Sequence, residues 1–257
     1  MTQASTPSFD LAQLDAITQG AFSAPTSGER GARVRDWLAT NPTPELMQAV
    51  FKELSVKDKG AAKPLRERLD ELRRAKGQEA LAAEWAAKAQ ALLDAARMNI
   101  ADALAWQRDA ARAGAPLSRE PLATLRTALA ERVRAVEDLQ NQAMVQREAA
   151  VLLAQRIEVL STRSFKDAQA AAAALQTDVA NWRAQADALT AHAQWAAVDA
   201  KFPPMIDAAR TQLQVVWEAF AAALAQAEAA AADAQAPLPP VPVWADELRA
   251  LRGEPVQ

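Results

Sequence analysis

Side chains that could carry out chemistry are few in this sequence. Of its 257 residues, one is a histidine and none is a cysteine. A metal site built from several histidines, a thiol nucleophile or a thiolate metal site therefore cannot be assembled within one chain. The single histidine, His192, lies in Leu189–Trp195, a stretch that we predict to be helical. We assign it a structural role beside the tryptophan.

Carboxylates are abundant, but they alternate with arginines at helical spacing. Arg66, Glu67 and Arg68 are followed closely by Asp70 and Glu71. Spacings of three and four residues are typical of ion pairs on a solvated helix face, whereas catalytic acids need apolar surroundings. Glycine-rich phosphate loops are also missing. The sequence therefore predicts no catalytic residues, no metal and no cofactor, and a protein that is not an enzyme.

The elements that would carry these side chains are predicted to be helices. Tyrosine is absent, alanine runs are frequent, and 51% of the residues are hydrophobic. Alanine is the best intrinsic helix former, and β-branched and aromatic residues favour strands. We predict an all-α fold in which short packed helices are followed by a long antiparallel coiled-coil hairpin and a further helical pair.

Turn and cap signals divide the chain into four predicted regions. Thr43-Pro44-Glu45 is a strong helix start, because threonine caps, proline fits the first turn and the acid favours the positive helix end. In the hairpin, one helix is predicted from Gln78 to Arg112 and the next over 120–160. The four regions are short helices over 8–76, the hairpin over 77–162, the helical pair over 163–235 and a proline-rich flexible tail over 236–257.

Targeting signals are not evident in the sequence. The first ten residues lack the basic and apolar segments of a secretory signal. Ala219–Ala232 is the most apolar stretch, and we judge it too short and too weakly apolar to span a bilayer. The predicted location is the cytoplasm.

Seven tryptophans on otherwise alanine-rich helices are the most unusual feature of the composition. They could fill volume between closely packed helices, or they could form an exposed face for a protein partner. We predict a non-enzymatic helical interaction or scaffold protein that binds a protein partner. The candidate contacts are the proline-rich segment and the end of the second hairpin helix: Trp244, Pro239, Pro240, Pro242, Leu153, Ile157 and Leu160.

An uneven charge distribution suggests an alternative function. Residues 52–76 hold nine basic and five acidic residues, whereas residues 164–257 hold six basic and eleven acidic residues. A basic amino-terminal part could bind RNA or a ribonucleoprotein, although interleaved acids are also typical of a solvated helix face. The residues that would contact nucleic acid are Arg30, Arg33, Arg35, Lys63, Arg66, Arg73 and Arg74. An enzyme completed by a second chain is a third alternative.

Two stretches resemble a known family. Trp195-Ala-Ala-Val-Asp-Ala-Lys-Phe202-Pro-Pro, followed by Trp217-Glu-Ala-Phe220, is similar to the Trp…Pro…Trp-x-x-Phe repeat of the bacterial domain-of-unknown-function family 349. The stretch from Asp58 to Leu72 also resembles the amino-terminal region of those proteins. This chain has one clear repeat and lacks the Gly-Pro-x-Pro turn of the family, as a truncated or divergent member would. The resemblance implies a bacterial, cytoplasmic, helical protein and supplies no catalytic residues.

Overall fold

A computed structural model describes residues 8–254 of the chain. These residues form nine α-helices and one turn of 3-10 helix, and they contain no strand. The predicted all-α fold is therefore confirmed. The helices are α1 (Leu11–Ile17), α2 (Ser27–Leu38), α3 (Pro44–Lys57), α4 (Lys59–Asp94), α5 (Ile100–Arg112), α6 (Leu122–Leu160), α7 (Phe165–Thr190), α8 (Phe202–Ala232) and α9 (Pro242–Leu251), and the 3-10 turn is Trp195–Ala197.

The chain divides into two compact units. The first unit ends at Trp85 and also includes Ala113–Pro116. The second comprises Ala86–Arg112 and the described residues from Leu117 onward. Because the division falls inside α4, this helix contributes its beginning to one unit and its last turns to the other.

The first unit packs α1, α2, α3 and the start of α4 around one apolar core. Leu14, Val34, Val50, Leu54 and Leu65 have no solvent exposure in this core. Side-chain oxygens cap the first three helices: Asp10 accepts from the Gln13 amide, Thr26 from Glu29 and Thr43 from Leu46. The start predicted at Thr43 is therefore confirmed.

Helix α4 is longer than the sequence suggested. It runs without interruption from Lys59 to Asp94. The helix therefore continues across the boundary that we predicted between residues 76 and 77. Gly77 lies inside the helix, where a single glycine weakens but does not end it. Residues 73–80 are all exposed.

The uninterrupted helix predicted from Gln78 to Arg112 is also wrong. The chain leaves the helix after Asp94 and re-enters it at Ile100. Contacts with the distant 3-10 segment replace the helical hydrogen bonds, because the Met98 amide donates to the Ala197 carbonyl and Arg97 donates to the Val198 carbonyl. The Asn99 side chain then caps α5 by accepting from the Asp102 amide.

The second unit is organised around α6, α7 and α8, which all contact one another. Most apolar residues that recur along α6 at steps of three and four residues are buried, including Leu129, Val133, Val136 and Ala143. However, the simple two-helix hairpin predicted over 77–162 is not observed. Its first helix is interrupted between Asp94 and Ile100, and α6 packs against α7 and α8 as well as α5.

Helix α8 is long and apolar enough, by length and composition alone, to cross a membrane. This differs from the sequence analysis, which judged the region too short. Helices in the cores of soluble proteins can meet the same criterion. In α8, the large side chains of Phe202, Ile206, Leu213 and Phe220 are buried within the second unit.

The carboxy-terminal segment is not the flexible tail that its prolines suggested. Residues 242–251 form α9, and Trp244, Ala245 and Leu248 of this helix are buried. The Arg252 guanidinium donates to the carbonyls of Ala230, Asp233 and Ala236, at 3.0–3.1 Å. The bond to Ala230 satisfies a carbonyl group in the last turn of α8, and the other two bonds hold the segment that follows this helix. Residues 255–257 lie outside the described part of the chain.

Candidate functional site

Trp244, the leading candidate for a partner contact, is fully buried. Its indole N–H donates to the Arg163 carbonyl at 2.9 Å, and its ring meets Phe165 and Phe220 edge-on at centroid distances of 6.3 and 6.0 Å. A tryptophan with its polar atom paired and its ring enclosed by aromatic neighbours is a core anchor. It is therefore not an accessible contact.

The other candidate partner contacts divide between the core and the surface. Leu153, Ile157 and Leu160 belong to the same apolar core as Trp244. Among the prolines, Pro239 is buried, whereas Pro240 and Pro242 are exposed. The structure thus does not bring these residues together as one surface, because most of them face inward.

None of the seven tryptophans is exposed. Four are buried, and Trp85, Trp195 and Trp217 are half-buried. The Trp182 indole N–H donates to the Gln146 carbonyl at 2.7 Å, which ties α7 to α6. Trp217 and Phe220, which carry the family resemblance, lie 5.7 Å apart between ring centroids. Among the two alternatives for the tryptophans, the volume-filling role fits their positions.

We predicted His192 within a helix, but the structure places it after the end of one. Helix α7 ends at Thr190, and His192 lies in the exposed turn that follows. Its ring Nδ1 accepts a hydrogen bond from the Gln194 amide at 3.0 Å. Groups of three or more potential metal-binding side chains do not occur in the described part of the chain.

Among the basic residues proposed for nucleic-acid binding, Arg30 is held by an ion pair with Asp58. The Arg30 Nε donates to this carboxylate at 3.0 Å, and its Nη1 donates to the Ala24 carbonyl. The Ser27 hydroxyl, the Ala61 amide and Arg30 together hold the pKa of the Asp58 carboxyl below its ordinary value, although partial desolvation opposes them. Arg30 therefore has a structural role and is not free to bind a phosphate.

The remaining basic candidates are exposed on two helices. Arg33 and Arg35 lie on α2, and Lys63, Arg66, Arg73 and Arg74 lie on α4. At 100° per residue, the four residues on α4 project from the same side of that helix. Asp70 projects from this side too and lies 3.5 Å from Arg73, so the stripe is basic but interrupted.

Helix α6 has an exposed apolar face that we did not predict from the sequence. Five large side chains lie there, with exposed fractions between 43 and 64%: Met144, Val145, Val151, Leu152 and Val159. They occupy the side of α6 opposite its buried residues, such as Leu153 and Ile157. A signal was present, because Val145, Leu152 and Val159 repeat at intervals of seven. It was overlooked because the stronger repeat of the buried side overlaps it.

A groove adjoins this face, where α6 meets α7. It has a volume of roughly 550 Å³, and its walls are mostly aliphatic. From α6 the lining includes Leu152, Val159 and Leu160, and from α7 it includes Ala171 and Ala174. The small alanine side chains leave room beside the α6 face. We call the exposed apolar residues of α6 together with this groove the α6–α7 face.

Charged residues accompany the apolar residues of the α6–α7 face. The Arg156 guanidinium donates to the Asp178 carboxylate on α7 at 3.2 Å, and both side chains stay substantially exposed. Glu148 is also exposed and precedes Leu152 by one helical turn. At 100° per residue, Arg156 lies at the edge of the apolar residues and Glu148 lies among them, so the face combines apolar and charged groups.

A second groove, in the first unit, has a different character. Its volume is roughly 640 Å³, and it lies beside α1 and α3. Phe9, Leu14 and Ala49 form its apolar part, while Glu45 and Lys52 are exposed residues on its rim. Glu53, the third charged residue of its lining, is half-buried.

No family model, no curated protein and no solved structure matches this chain. The resemblance to family 349 therefore stays a prediction that rests on the residues quoted for it.

Proposed function

We propose that this protein is a non-enzymatic helical interaction protein and that the α6–α7 face is its docking surface. The exposed apolar face of α6 is the observation that carries the proposal. Soluble proteins rarely expose this many large apolar side chains along one side of a single helix without a partner. We propose the cytoplasm as its location, and membership in the resembled bacterial family remains part of this proposal.

The partner of such a face is best matched by an amphipathic helix. A helix presents apolar residues every three to four positions, which suits the row on α6 and the groove beside it. The charged residues Glu148 and Arg156 would orient the incoming helix. Leu152 lies near the centre of the face, where contacts usually contribute most to binding.

Photo-crosslinking from position 152 tests this function. We expect p-benzoylphenylalanine in place of Leu152 to form one discrete adduct with a protein in cells, because this side chain would be enclosed by the partner. The matched control is the same group in place of Leu104, which lies on α5. The two leucines have similar exposed fractions, 58 and 61%. The absence of an adduct from position 152, or the same adducts from both positions, would contradict the proposal.

RNA binding through α4 is a second candidate. The alignment of Lys63, Arg66, Arg73 and Arg74 along one exposed side of the helix supports it. Contacts with phosphates would make the affinity fall steeply with salt. Fluorescence anisotropy of labelled RNA, titrated at low and near-physiological salt, measures this. Binding that is lost when Arg73 and Arg74 are changed to Glu supports the second candidate, and no binding even at low salt excludes it.

A further inference from the structure

We infer that the partner on the α6–α7 face is a second copy of this chain. In this arrangement, two α6 helices pack antiparallel across a two-fold axis that passes near Leu152. The inference rests on the proposed function and specifies its partner. It is carried by the apolar spacing and by the placement of charges along α6.

The apolar residues are self-complementary about Leu152. Val145 precedes Leu152 by seven residues and Val159 follows it by seven. Antiparallel pairing about this position therefore brings Val145 of one copy opposite Val159 of the other, and Leu152 opposite Leu152. A two-fold interface requires that the same patch serve both copies. A spacing of seven residues keeps such a seam in register along both helices.

The charges select the antiparallel direction. Glu148 precedes Leu152 by four residues, and Arg156 follows it by four. In the antiparallel arrangement each Glu148 meets Arg156 of the other copy, so two ion pairs form. A parallel arrangement in register would instead place Glu148 beside Glu148 and Arg156 beside Arg156, which is repulsive. Asp178 already holds Arg156 at 3.2 Å, so each new contact would join an existing pair.

The length of the face suits a dimer that dissociates on dilution. From Met144 to Val159 the seam is about 24 Å long at 1.5 Å per residue. The alanines of α7 beside it, Ala171 and Ala174, allow the second copy to approach closely. A seam of one helix and a neighbouring groove lies at the lower end of stable interface sizes. We therefore expect a monomer–dimer equilibrium and no fixed oligomer.

Sedimentation equilibrium over a wide concentration series tests the dimer. The wild-type chain is expected to show a monomer–dimer equilibrium. Leu152→Glu should weaken association by roughly a hundredfold, because two carboxylates would be buried near the axis. Leu104→Glu is the matched control and should associate like the wild type. Circular dichroism of both variants verifies that the fold is retained, since both leucines are largely exposed. A wild-type chain that stays monomeric throughout overturns the inference.

Charge exchange tests the antiparallel arrangement itself. Glu148→Arg alone and Arg156→Glu alone each turn both intermolecular pairs into like-charge pairs, so each should weaken self-association by about tenfold. A mixture of the two variants restores two attractive pairs and should form a heterodimer with near wild-type affinity. The loss of the internal Asp178 pair cannot produce this rescue. Absence of rescue in the mixture overturns the antiparallel arrangement.

Crosslinking, sedimentation and charge exchange together separate the inference from the proposed function. An adduct from position 152 that contains a different protein, together with a monomeric wild-type chain, overturns self-association and leaves the docking function intact. No adduct and no self-association overturn both. An adduct of twice the chain mass together with rescue in the charge exchange supports both.

Discussion

The indole of Trp244 joins segments that are far apart in the chain. Its N–H binds the Arg163 carbonyl in the turn between α6 and α7, and its ring contacts Phe165 of α7 and Phe220 of α8. A proline-rich neighbourhood suggested an exposed recognition segment, but the same prolines also suit a short connection that returns the chain to its own core. The exposure of one residue depended on contacts that the local sequence does not specify.

We expect Trp244→Ala to destabilise the protein by roughly 3–5 kcal/mol, because it leaves a cavity in a packed aromatic cluster. Trp244→Phe should cost about 1–3 kcal/mol, since the Arg163 carbonyl loses its donor while most ring contacts remain. Urea denaturation measures both values. Val243→Ala, at the neighbouring and partly exposed position, is the control and should change stability by less than about 0.5 kcal/mol. Equal stability of the three variants would contradict the core role.

The negative charge of Asp58 contributes to the stability of the fold. Its side chain accepts from the Ala61 amide in the first turn of α4 and from Arg30 on α2. These interactions lower its pKa in the folded state. Their contribution to stability is therefore fully present above the unfolded pKa of about 3.9 and is lost as the pH falls through the lower folded value. Asp15, with a pKa that is also lowered in the fold, contributes with the same sign.

We expect the stability difference between the wild type and Asp58→Asn to be largest near neutral pH and to shrink as the pH falls below about 4. Asparagine retains an oxygen that can cap α4, but it lacks the charge that binds Arg30. Urea unfolding curves of both proteins, recorded from pH 7 to pH 3, measure this difference. A difference that does not change with pH would rule out the charge of Asp58 as its source.

At the scale of helices, the ends depend on distant side chains more than on local caps. The Arg132 guanidinium, on α6, donates to the Leu93 and Ala95 carbonyls at the end of α4. Arg252 does the same for the end of α8. These arginines satisfy carbonyl groups that each helix end leaves without partners. Such long-range caps cannot be inferred from the sequence around a helix end.

Two glycines provide a matched test of helix continuity. Gly77 lies within the exposed part of α4, and an added Cβ would meet no atom within 4 Å. Gly77→Ala should therefore stabilise this part of the helix by about 0.5–1 kcal/mol. Gly114, between α5 and α6, has a φ of +79° and equally open surroundings. Gly114→Ala should cost about 1–2 kcal/mol, because the strain comes from the backbone alone.

Amide hydrogen exchange over residues 73–80 measures the first effect, and the thermal unfolding midpoint measures the second. We expect slower exchange in Gly77→Ala and a lower midpoint in Gly114→Ala. Faster exchange in the Gly77 variant would mean that α4 is not a continuous helix at this point.

At the scale of the whole molecule, the chain divides into two compact units, whereas four regions were predicted. Composition predicted the helical class, because helix propensity is a local property. Helix α4 continues past the boundary predicted at residue 76, and the segment after residue 236 contains helix α9 in place of a flexible tail.

The sequence by itself determined the helical class, the cap at Thr43 and the scarcity of catalytic side chains. These features follow from residue types and from spacings within one helix. Only the tertiary structure decided that Trp244 is internal, that Arg30 is bound to Asp58 and that the chain breaks before Ile100. It also decided that the row from Met144 to Val159 is exposed. A helix has several apolar sides in sequence, and only its neighbours in space determine which side remains in water.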